Sequence, residues 1–214
     1  MKNIMTKRNA LKVIVCSFLF VTAIGFSQSE IDRLAKKMFV DMNNRDYDAI
    51  LDMSHPKIFE LVTKDQMKDV LKSTLEGNEQ FSIEIPKVIP EYKISEIYKE
   101  DKDNLQYAFV SYDMSMNMTF NDQKFDEEAK KLMSSSMKAQ GIDTEFLSDN
   151  TVKITMNDRI TVILKGDSTE NKWVMMNYDA GSPLVYQLFS SSLLETAKKY
   201  KENLLLESKK KREK

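Results

Sequence analysis

Met114, Met116 and Met118 recur at every second position of the stretch Tyr112-Asp113-Met114-Ser115-Met116-Asn117-Met118-Thr119-Phe120. Thioethers are soft ligands that select copper(I), so such an alternation could hold a metal. On a strand, side chains two apart start about 7 Å from one another, whereas sulfurs sharing one ion must lie within about 4 Å, given metal–sulfur bonds near 2.3 Å. Val110, Tyr112 and Phe120 share the methionine face, so the spacing predicts a core or pocket wall rather than a ligand set. Tyr112, Met114, Met116, Met118 and Phe120, joined by Trp173, are the expected lining of an apolar pocket.

His55 is the one histidine of the chain, which excludes a histidine metal cluster. Asp52 lies three residues before it, and the two could form an acid–base pair if a helix puts them on one face. The competing reading makes His55 a polar side chain at a helix joint before Pro56. Isomerase-type chemistry needs a carboxylate base opposite acidic donors in an apolar pocket. Tyr92, Tyr107, Tyr112 and Tyr178 are candidate donors, but Asp113 points away from the methionine face. Asp101-Lys102-Asp103 begins like a calcium loop but lacks its glycine and terminal glutamate. Only Gly77, Gly141, Gly166 and Gly181 follow residue 27, so there is no phosphate-cradling loop and no cofactor is expected.

Lys2, Lys7, Arg8 and Lys12 precede an apolar run from Val13 to Phe26 and the small-residue exit Gly25-Phe26-Ser27, the pattern of a cleavable signal peptide over residues 1–27. The run has 14 residues, short of the roughly 20 that a helix needs to cross a bilayer. Cys16, the single cysteine, lies inside that run, which predicts no lipid anchor. A secreted or periplasmic chain starting near Gln28 would have no thiol, so a disulfide scaffold, a cysteine nucleophile and a Cys-based zinc site are excluded. That chain carries 28 basic and 33 acidic residues. Eight of the bases fall between Lys198 and Lys214, leaving the rest acidic, which argues against nucleic acid as a partner. The basic tail is read either as a solvated helix end or as a contact for anionic surfaces.

The periodicity divides residues 28–190 into helices followed by strands. Ile31, Leu34, Ala35, Met38, Phe39 and Met42 form one helical face after a Ser29–Asp32 start. A second helical stretch runs through Ile50 and Leu51 to a joint at Pro56, and a third opens on Thr63-Lys64-Asp65-Gln66 and closes at Gly77. The period then changes to two. Strands are expected around Phe81–Ile85, Tyr92–Ile94, Ala108–Phe120, Val152–Met156, Ile160–Leu164 and Trp173–Tyr178, with Asn157-Asp158 as a turn and a helical insertion over Asp126–Gln140. A C-terminal amphipathic helix over 191–214 carries Leu193, Ala197, Tyr200 and Leu204 on one face.

This order predicts an α+β domain with N-terminal helices packed on one face of a curved antiparallel sheet. The first helix, the stretch "DYDAILDMSHPKIFELVTKDQMKDVL" and the strands ending in "NKWVMMNYDAG" resemble the nuclear transport factor 2-like (SnoaL-like, ketosteroid-isomerase-like) superfamily over roughly Gln28 to Ser182. The resemblance implies a cone-like, cystatin-like roll around a pocket, in a superfamily that includes isomerases, dehydratases, hydrolases and proteins without known activity. The helical insertion and the charged C-terminal helix depart from that pattern. The leading expectation is a non-catalytic domain that binds an apolar small molecule or a partner's segment. The alternatives are a pocket enzyme (isomerase, lyase or hydrolase) using a buried carboxylate with a tyrosine, and a structural interaction module.

Overall fold

A computed structural model describes residues 27–212. All but the last residue of the leader expected over 1–27, Cys16 included, lies outside the described residues. Helix α1 occupies residues 27–44. Ile31, Ala35, Met38 and Phe39 on its inner face are at most 6% exposed, and burying a side chain of the larger kind is worth about 1.5–3 kcal/mol. Asp46 caps α2 (Tyr47–Asp52) by accepting the Ala49 amide at 3.0 Å. After the single-turn α3 (Ile58–Leu61), the expected capping box forms at α4 (Lys64–Glu76): Thr63 accepts the Gln66 amide while the Gln66 side chain accepts the Thr63 amide. Gly77 ends α4 at φ +92°, where a Cβ would lie 2.1 Å from the Phe81 carbonyl oxygen. Glycine alone fits there.

Seven strands follow in one antiparallel sheet: β1 (Phe81–Glu84), β2 (Tyr92–Ile94), β3 (Tyr98–Glu100), β4 (Leu105–Phe120), β5 (Ile142–Phe146), β6 (Thr151–Lys165) and β7 (Val174–Asn177). The frame is a ribbon of the two long strands, with β4 and β6 in register from Gln106↔Lys165 to Thr119↔Thr151. Short strands β1, β2 and β3 flank β4, and β5 and β7 flank β6. Helix α5 (Glu127–Ala139) is the expected insertion, capped by Asp126, and packs beside β5. Helices α6 (Pro183–Leu188) and α7 (Ser191–Arg212) close the described chain.

Three expectations need correction. Asn157-Asp158 is not a turn between two strands. It is a β-bulge within one 15-residue strand, β6, where the register to β4 shifts between Tyr112 and Met114. Asp158 takes φ +54°, and its amide donates to Asp113 Oδ1 at 2.8 Å. The extra residue bends the ribbon, as bulges do. Second, the alternating segment Ile142–Phe146 is a strand that the periodicity reading passed over. Third, helices cover both faces of the lower sheet. α1 packs on Ala108, Val110, Tyr112 and Ile163, whereas α6 and α7 pack on Tyr107, Phe109, Val162 and Leu164. The reason lies in β4 itself, where Tyr107 to Tyr112 are all buried and no face there is polar enough to meet water. Leu193 and Ala197 of α7 are 0% exposed, so this helix is part of the core.

Candidate functional site

Above the bulge the cover changes. Met114, Met116 and Met118 on β4 lie opposite Met156, Ile154 and Val152 on β6, with Met114↔Met156 a direct cross-strand pair, and Phe120 pairs with Phe81 of β1. Ile83 and Ile85 flank this face on one side, and Met137, Ile142 and Phe146 on the other. Met116, Val152 and Ile154 are buried. Met114, Met118, Met137, Met156 and Phe120 are only half-buried, because α1 packs on the part of the sheet below the bulge. The result is an apolar trough with adaptable thioether walls. The reverse face here is polar, with hydroxyl pairs Ser115–Thr155 and Thr119–Thr151 at 3.0 and 3.1 Å.

At Met114 the trough adjoins a cavity of about 180 Å³ between the end of α1 and the loop leading to β2. Phe39, Met42, Ile85, Val88, Tyr112 and Met114 supply its apolar lining. Asp113 is the one acid among its described lining residues, and its carboxylate is taken by the Asp158 amide. Tyr112 is buried edge-on against Phe39, centroids 4.9 Å apart, and its hydroxyl shares a 3.3 Å hydrogen bond with Thr161 Oγ1.

The structure brings five of the six expected lining residues onto one continuous strand face, while Trp173, just before β7, packs against the cluster that holds Tyr112 and Met114. Trp173 adjoins the Leu164 end of β6, whose partner on β4 is Tyr107. Met118 lies eleven residues farther along β4, about 35 Å away at roughly 3.3 Å per residue. The Trp173 indole donates to Glu30 at 3.1 Å, and Lys165 sits 4.9 Å above its ring. Asp52 and His55 do not pair. Asp52 is exposed and bridged to Lys64 at 2.8 Å, which holds its carboxyl below the usual range. His55 is 1% exposed, and its Nδ1 accepts the Lys57 amide at 3.2 Å. Burial, reinforced by the Lys57 charge, pushes its pKa down, so the ring is neutral at pH 7. The His55 amide donates to the Met175 carbonyl, making this joint a clasp between α2 and β7.

Two tyrosine–carboxylate pairs escaped the sequence reading because their partners are 29 and 60 residues apart. Tyr47 donates to Glu76 at 2.5 Å, tying α2 to α4, and Tyr92 donates to Asp32 at 2.6 Å, tying β2 to α1. Burial first, then the carboxylate hydrogen bond, pushes both phenols up to about 12. Neutral at pH 7, they act as fixed donors. The calcium-like Asp103 is likewise a tie, accepting from Ser168 Oγ at 2.6 Å.

A second and larger cavity, about 640 Å³, opens at the bulge beside α7. No spacing in the sequence announced it, since its residues come from α5, β5, β6, the loop after β7 and α7. Among the described residues no group of three or more His, Cys, Asp or Glu could hold a metal ion, and no helix is long and apolar enough to cross a membrane. Comparison of the chain with protein-family models, curated proteins and solved structures found no match.

Proposed function

We propose that the chain is an exported, non-catalytic binding domain that takes an apolar small molecule along its methionine trough. One observation carries this reading: three thioethers and a phenylalanine stand half-buried on a sheet face that its own helices leave partly open, with Met137 of α5 half-buried beside them. A face needed only for folding would be driven toward full cover, and contiguous apolar surface left open marks an interaction site. Methionine suits such a wall because its unbranched chain repacks around different shapes. The acid nearest the adjoining cavity, Asp113, is committed to the bulge, and the two tyrosine–carboxylate pairs tie elements together, which speaks for binding over a carboxylate-driven reaction. The leader-like residues 1–27 support export. Helices leading into a bent antiparallel sheet with an apolar inner face support a nuclear transport factor 2-like reading, and α7 on the outer face is a departure from it.

Native mass spectrometry of the protein purified from its own host tests the proposal in one measurement. The expected result is a chain that begins near Gln28 and carries an apolar adduct, lost in a Met114→Gln/Met118→Gln variant that melts like the parent. A ligand-free protein that also fails to enhance the fluorescence of an apolar dye would refute small-molecule binding. A co-purifying polypeptide would replace the small molecule with a partner's segment.

A further inference from the structure

Along its outer edge β6 changes partners. β5 pairs with residues 152–156 and β7 with 161–164, leaving the bulge and its neighbours between them. The 640 Å³ cavity opens in this gap and falls within the ~300–1,000 Å³ typical of small-molecule sites. Lys138, Arg159, Lys198 and Lys201 line it, and none of the four forms an ion pair among the described residues. The acids nearby are engaged with other groups. Asp143 accepts from Asn157 at 2.6 Å, Asp158 accepts from Ser208 at 3.0 and 3.1 Å, and Asp179 accepts the Gly181 amide at 2.9 Å. Glu202, exposed on α7, completes the acidic set.

The two inner cations are poorly served. Arg159 Nε is buried without a partner, and its Nη1 meets only the soft Met156 sulfur at 4.0 Å. Lys201 is half-buried and donates to the Asp158 carbonyl oxygen. Burial pushes the Lys201 ammonium down, and the charge of Arg159 adds to that against the pull of Asp158. Two neighbouring cations and an orphaned donor in a partly desolvated cavity are costly unless an anion completes them. Ile142, Met156 and Tyr178 add an apolar wall.

We propose that this cavity binds a small anionic molecule whose carboxylate or phosphate sits between Arg159 and Lys201 and whose apolar part lies on Ile142, Met156 and Tyr178. The site does not depend on ligand binding in the trough, with which it shares only the Ile142 and Met156 side chains.

Octyl phosphate, octanoate and inorganic phosphate titrated calorimetrically into the purified protein, in chloride buffer, test it. At least one probe saturates at one site per chain. Arg159→Gln and Lys201→Gln each weaken it at least about tenfold, since each removes a charge-assisted hydrogen bond. Lys138→Gln/Lys198→Gln, at exposed positions that leave folding intact, weakens it about threefold and flattens its salt dependence. A clear preference for the octyl compounds supports the proposal, and equal affinity for inorganic phosphate overturns it in favour of a bare oxyanion site. The proposal is overturned if no probe binds, if a well-folded Arg159→Gln binds like the parent, or if only Met114→Gln/Met118→Gln abolishes binding.

Discussion

Met116 offers the sharpest check on what the thioethers do. Its side chain is 6% exposed, packed with Val152 and Ile154. Met→Ala at a core position costs about 2–5 kcal/mol, the transfer loss plus the space left behind. Here the lower part of that range, about 2–3 kcal/mol, is expected, because half-buried Met114, Met118 and Met137 can swing into the gap. For a chain of this size that means a melting temperature lower by ~4–12 °C. Met118→Ala, whose side chain already meets water, should cost about 1 kcal/mol. Met116→Leu keeps apolar volume and should cost less than about 1.5 kcal/mol. Urea unfolding followed by circular dichroism measures all three as midpoint shifts at constant slope. Trp173 fluorescence at the other end of the sheet verifies that one transition is observed. If leucine costs as much as alanine, the sulfur itself holds the site and the packing account is refuted. It fails equally if Met116→Ala costs no more than Met118→Ala.

Gly77→Ala should destabilise by at least about 2 kcal/mol in the same assay, because it combines a positive φ with a 2.1 Å clash against backbone. Tyr47 and Tyr92 hold their protons up to about pH 12 in the fold against 10.0 outside it, so the stability they contribute is complete below pH 10 and lost between 10 and 12. Tyr47→Phe should therefore reduce the drop in urea midpoint between pH 9.5 and 11.5. The folded-state pKa of His55 is depressed, so its contribution is present above the unfolded value of about 6.5 and lost as pH falls below it. His55→Gln should flatten stability against pH on that acid side, and an unchanged slope would show that the ring takes up its proton freely.

What the sequence disclosed follows the range of its interactions. The α1 face, the Thr63–Gln66 capping box, the Gly77 stop and the strand through Met118 rest on spacings of two to four residues, and each formed in place. The Asn157-Asp158 bulge misled because turn-forming residues also suit a single residue at positive φ inside a strand, and local chemistry does not separate the two. Met114, Met116 and Met118 are legible as an apolar stripe, but the partial exposure of Met114 and Met118 depends on where α1 ends against the sheet. Trp173 packs against the cluster of Tyr112 and Met114 but stands far along the sheet from Met118, since membership of one sheet says nothing of position along it. The Arg159–Lys201 neighbourhood joins residues 42 apart through a helix crossing a bulge, beyond any local pattern.

The uneven cover of β4 gives one strand two lifetimes. From Tyr107 to Tyr112 its amides lie between helices on both sides, so their hydrogens should exchange with deuterated water only when the molecule opens as a whole. Beyond Asp113 a single layer shields the same strand, and local breathing should release those amides earlier. The bulge then marks a boundary between a slow and a fast segment within sixteen consecutive residues, and whatever settles in the trough should slow the fast one.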